Sequence, residues 1–224
     1  MSEPNNSIHK EFELERLILF SDAVFAIAIT LLVIDLRFPE IPKGISISPA
    51  WWLSEMRPLA VQFVSFAISF VFIGLSWARH LRLCRHLKNY NSGVIIRNLF
   101  FLFFVVTFPF TITGFTHIRP NFMYPILPYV FNVFMVSLSQ YMLTYYILRS
   151  KHGLYAPGNE AEKKFILFQS GVFLAIVSFF MIGLSVVLII FQGNETAFAI
   201  VSWTVVLCAI VSKRWVNKHR PPKE

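Results

Sequence analysis

Six stretches of this chain, at 17–36, 58–79, 94–116, 124–148, 165–191 and 196–212, run almost without charge for about the length that takes a helix across a bilayer. A helix needs ~20 mainly apolar residues to cross the ~30 Å hydrocarbon core. With no water there to take up backbone N–H and C=O groups, only helices and closed barrels can span it. The runs are continuous rather than alternating with a period of two, which selects helices. The chain is therefore expected to be all-α, a polytopic membrane protein with six transmembrane helices. A composition of 56% hydrophobic and 14% charged residues, with mean hydropathy +0.61, is too apolar for a soluble domain.

Six crossings put both ends on one side. Of the 20 Lys and Arg residues, 16 fall on that side and only Arg37, Lys43, Arg57 and Arg119 on the other. The positive-inside rule makes the N- and C-termini cytoplasmic and the protein a multi-pass cell-membrane protein. The expected organisation is a cytoplasmic N-terminal segment at 1–16, a six-helix membrane domain at 17–212 and a cytoplasmic basic tail at 213–224. The net charge of +8 sits at the membrane boundaries, so it is not read as a nucleic-acid surface. The first run is preceded by Glu11, Glu13 and Glu15 and is long for an h-region, unlike a cleavable signal. Cys84 and Cys208 offer neither a disulfide framework nor a metal cluster, and no cofactor is implied. The connection at 37–57, with Pro39, Pro42, Gly44 and Pro49, reads as an irregular loop with Trp51 and Trp52 at headgroup level. Pro109 predicts a kink in the third span, with Thr107 or Thr111 to re-satisfy the freed backbone.

The first span carries Asp22. A lone carboxylate in a span costs from ~2.5 kcal/mol upward, so it needs a partner or a task. At about 100° per residue, Leu31 and Ile34 each lie within about 40° of Ile27, with Thr30 about 60° from it. Ala23 and Phe20 extend that face. Asp22 falls about 140° away from Ile27 and so turns toward another helix. Donors of matching depth come from the second span: the Trp77 indole, Arg79 and His80. A ring of such helices would stack apolar collars around a hydroxyl layer, and an apolar constriction can close a pore by dewetting. From spacing alone, packing against a neighbouring helix is the more ordinary role for the stripe.

Arg16-x-x-x-Phe20-Ser21-Asp22, followed by the dense VFAIAITLL at 24–32, resembles the signature of the lysosomal potassium channel family, transmembrane protein one-seven-five, in its short bacterial form. The resemblance implies a potassium-selective, leak-type cation channel. It would be a homotetramer in the lipid bilayer, with the first helix of each subunit lining the path of potassium ions. Ile27 would then match the narrow apolar ring, Leu31 and Ile34 its outward extension, and Thr30 the hydroxyl layer linked with potassium preference. The resemblance pairs the Phe-Ser-Asp signature with a Trp and a His of the next helix, here Trp77 and His80. Two positions depart from it: Leu81 follows His80 where a second histidine is common, and Ala23 stands where Gly is frequent. Arg16 shares the pore-side face as a cytoplasmic anchor or inter-subunit partner.

Other classes fit less well. A proton-coupled or small-solute transporter would use Asp22, His80, Asn132 or Gln140 as a polar relay, but no inverted repeat or paired broken helices are visible. No span carries a His-Glu-x-x-His motif or a nucleophile beside a base, so an enzyme is not expected. There is no Thr-Val-Gly-Tyr-Gly filter segment, so side chains must discriminate between ions.

Overall fold

Helix α1, Pro4–Leu31, opens the chain and tightens into a 3₁₀ turn at Leu32–Asp35. The computed structural model describes residues 4–38, 48–116, 126–149, 153–155 and 160–190, with a few single positions between 200 and 214. The helix begins well before the apolar run because the segment preceding that run, FELER, is built from Glu, Leu and Arg, which favour the helical state. The N-terminal segment is thus largely an extension of the first span.

Helix α2 covers Pro49–Cys84 and starts earlier than the apolar pattern alone implies. Ser48 caps it, its Oγ accepting from the Trp51 N–H at 3.1 Å, and Pro49 follows at the first helical position. This cap and the proline that needs no N–H partner turn part of the connection read as irregular into helix. Trp51 and Trp52 ride on its first turn.

The third span breaks where Pro109 predicts it should. Helix α3, Ser92–Val106, gives way at Thr107 to helix α4, Phe108–Thr116. Pro109 has no N–H for the Val105 carbonyl, and the Thr107 N–H closes α3 on the Phe103 carbonyl at 3.2 Å. The Thr107 hydroxyl donates to the Phe104 carbonyl at 3.0 Å and the Thr111 hydroxyl to Phe108 at 3.0 Å. Helices α5, Ile126–Arg149, and α6, Glu160–Ile190, complete the described part.

Among the described residues five segments are long and apolar enough to cross a membrane: Phe12–Ile34, Pro49–Cys84, Ser92–Thr113, Ile126–Arg149 and Glu160–Leu188. The protein is all-helical and multi-pass. The expected sixth span, at 196–212, lies outside the described residues apart from scattered helical positions.

Helix α5 packs on α6, α3 and α4, while α1 packs on α3 and α2. One cluster joins Phe25 and Ala28 of α1 and Leu32 of its 3₁₀ extension to Ile73, Phe101, Val105 and Phe108 of the neighbouring helices. A second joins Leu83 and Leu87 to Val94, Leu143 and Ile147, under the loop residue Leu154. The Leu154 carbonyl accepts from the Lys88 N–H at 2.8 Å and pins this loop to the end of α2. Lipid tails are as apolar as these side chains, so the clusters hold by close packing and interhelical hydrogen bonds rather than by escape from water.

Candidate functional site

Two stripes divide the first helix. Ser21, Phe25, Ala28 and Leu32, spaced by four, three and four residues, are all buried; Phe25 is 1% exposed and Ala28 0%. The small Ala28 side chain lets neighbouring backbones approach closely. Across the helix Arg16, Phe20, Ala23, Ile27, Thr30, Leu31 and Ile34 are all exposed in the single chain, Ile27 at 55%. Leu19, Ala26 and Val33 are exposed too, so the open arc is wide enough to serve both lipid and a second copy. In the 3₁₀ turn residues three apart eclipse, which brings Ile34 into line with Leu31 more closely than an α-helix would.

Thr30 spends its proton inside its own helix. Its hydroxyl bonds the carbonyls of Ala26 at 3.0 Å and Ile27 at 2.9 Å. With the hydrogen turned inward, the oxygen presents lone pairs outward, the arrangement a cation requires.

Asp22 sits at the edge of the buried stripe, half-buried, and accepts from Trp77 Nε1 at 2.8 Å. Of the three donors that depth allows, only the indole is bonded to it. Arg79 turns to the other side, donating to Ser76 Oγ at 3.2 Å and placing its guanidinium 3.6 Å from the Phe173 ring centroid. His80 is buried between the rings of Phe25 and Phe101, with centroids 5.9 Å and 5.5 Å away, and its Nε2 lies 3.5 Å from Cys84 Sγ. Of the candidate donors, Arg79 and His80 are thus engaged elsewhere. The His80 ring belongs to the face of α2 that packs on α1 and α3, whereas Trp77, three residues earlier, reaches Asp22.

Asn98 is the member of this network that sequence reasoning missed. Its Nδ2 donates to Ser21 Oγ at 2.9 Å, and Ser21 in turn donates to the Leu17 carbonyl at 2.9 Å. An amide inside the apolar run NLFFLFF was the available signal. Near the N-terminal end of α1, Tyr90 donates to the Glu13 carboxylate. That bond is the main cause holding the Tyr90 hydroxyl above its ordinary pKa, since the neutral form is the donor.

The polar residues of α5 are engaged elsewhere. Asn132 Oδ1 accepts from Thr107 Oγ1 at 3.1 Å, and Gln140 Nε2 donates to the Ser76 carbonyl at 2.8 Å. Neither is joined by a direct hydrogen bond to Asp22 or His80. Among the described residues no group of three His, Cys, Asp or Glu is gathered as a metal site requires.

Residues 16–109, which include Ser21, Asp22, Trp77, His80 and Asn98, match the family described as Endosomal/lysosomal potassium channel TMEM175. Over that stretch the chain is similar to the TMEM175 family. It is 29% identical over 136 residues to a potassium channel of Chryseobacterium sp. (strain P1-3), covering 60% of this chain and 65% of that protein. Over 95 residues it is 34% identical to a potassium channel of Streptomyces collinus, covering 40% and 41% respectively. The chain thus spans less than two thirds of the length of either relative. Its fold is that of the TMEM175 homologue from Chamaesiphon minutus, described as lysosomal and potassium-selective. The TM-score is 0.62 at 21% identity, over 93% of this chain and 99% of that one. The two relatives are named as potassium channels.

Proposed function

We propose that the chain is one subunit of a homotetrameric, potassium-selective leak channel, with four copies of α1 around a central pore. The observation that carries this reading is the division of α1. Its Phe25–Ala28–Leu32 stripe is used up in packing within the subunit, which leaves Ile27, Leu31 and Ile34 for an axis shared between copies. Ile27 forms the narrow apolar collar, Leu31 and Ile34 continue it outward, and Thr30 supplies outward lone pairs that replace part of the water shell of a potassium ion. Asp22 serves structure, held by Trp77 away from the ion path. Arg16 and Phe20 continue the pore-side face toward the cytoplasmic mouth. Potassium is the permeant ion and no cofactor takes part. Six crossings, the last at 196–212, leave both termini cytoplasmic, following the distribution of Lys and Arg.

The relatives named as potassium channels support this reading, and so does the fold shared with a potassium-selective homologue. The test is a bi-ionic potassium/sodium reversal potential on purified protein in a planar bilayer. A reversal displaced toward the potassium equilibrium is expected. No current under any condition would leave a scaffold, and flux that follows an imposed proton gradient would leave a transporter.

A further inference from the structure

Behind the buried stripe of α1 lies a small cavity, walled by residues of α1, α2, α3 and α5 that include Ser21, His80, Cys84, Val94 and Asn98. Its volume is about 10 Å³, close to the minimum of ~10–15 Å³ that admits one water molecule. Two polar atoms of its walls, Asn98 Oδ1 and His80 Nδ1, are buried without a hydrogen-bond partner in the protein. Both residues are almost fully enclosed, Asn98 at 2% and His80 at 3% exposure. Their remaining polar atoms are already committed, Asn98 Nδ2 to Ser21 Oγ and His80 Nε2 to Cys84 Sγ. Native proteins rarely leave a buried acceptor unmatched, and in the membrane interior no bulk water arrives to match it. A purely apolar hole of this size would stay dry, but residues lining this one carry two unmatched polar atoms, and a held water needs two to four polar partners.

We propose that this cavity binds one structural water molecule that bridges Asn98 Oδ1, His80 Nδ1 and the remaining lone pair of Ser21 Oγ, joining α1, α2 and α3. The water donates a proton to the Asn98 carbonyl. Its second proton goes to Ser21 Oγ, and it accepts from His80 Nδ1–H, which leaves His80 Nε2 to accept from the Cys84 thiol. The bridge holds α1 on the flank away from Asp22, so the Asp22–Trp77 bond and the water together fix the rotation of the helix from two sides. This inference does not depend on what the protein conducts.

A structure of the wild-type protein at a resolution that shows ordered interior waters is the direct test. A density peak within hydrogen-bond distance of both Asn98 Oδ1 and His80 Nδ1 is expected; a cavity without such a peak overturns the proposal. The substitution Val94→Ile gives an independent readout through the sign of its effect. An added methylene that displaces the water strands both polar atoms and lowers the Tm by about 2–4 °C or more. In a dry cavity the same methylene fills space and raises the Tm, which contradicts the bridge. A fall in Tm without a wild-type density peak is overpacking and also counts against it.

Discussion

The indole nitrogen of Trp77 lies 2.8 Å from Oδ1 of Asp22, linking α2 to α1 across 55 residues of sequence. The bond gives Asp22, half-buried at the edge of the packed stripe, a donor from within its own subunit. It also sets which way α1 is turned, because Asp22 cannot move from α2 without leaving a charge unmatched in hydrocarbon.

Removing either partner should therefore damage architecture before ion preference. Trp77→Phe loses one interhelical hydrogen bond, on the order of 1 kcal/mol in a membrane. Asp22→Ala should reduce the yield of assembled oligomer further. Size-exclusion chromatography of solubilised protein reads the assembly, and the potassium/sodium reversal potential of the surviving fraction reads preference. A well-assembled Asp22→Ala variant with altered preference would place the carboxylate in the ion path.

Ile27→Asn introduces a polar side chain into the proposed collar and should keep it wet. Each 1.36 kcal/mol removed from a barrier is tenfold in rate, so a rise in basal cation leak on the order of tenfold is expected. Flux from reconstituted vesicles measures it, and an unchanged leak would remove Ile27 from the constriction.

Thr30→Val keeps the shape of the side chain and removes its oxygen. The loss of one oxygen contact, worth about 1 kcal/mol, corresponds to roughly a fivefold fall in the preference for potassium over sodium. Thr30→Ser retains the hydroxyl and should stay near wild type. Equal reversal potentials for wild type, Val and Ser would exclude Thr30 from selection.

Gly93 has no room for a side chain. A Cβ at this position would run into the hydroxyl end of the Tyr146 ring. That ring lies 3.9 Å beneath the Arg97 guanidinium, and its hydroxyl accepts from Asn91 Nδ2 at 3.2 Å. Gly93→Ala should displace it and cost about 1–3 kcal/mol, a typical penalty for overpacking. Thermal unfolding in detergent reads the loss, and the double variant Gly93→Ala with Tyr146→Ala should lose less than the two single effects combined.

Much of this was legible in the residues alone. Long apolar runs specify membrane helices because hydrocarbon leaves an unpaired backbone no alternative, and the rotational offset of Asp22 from Ile27 is arithmetic on a helix. Pro109 announced the break at Thr107 through its missing N–H. Other features depended on the assembled chain. Which of Trp77, Arg79 and His80 would reach Asp22 turned on the rotation of α2, and that is decided by Phe25 and Phe101 enclosing the His80 ring. The bond from Asn98 to Ser21 spans 77 residues and exists only because α3 packs against α1. Local sequence determines whether a segment is helical and which residues share a face. Which face meets which neighbour is a property of the whole packing, where side chains distant in sequence compete for the same space.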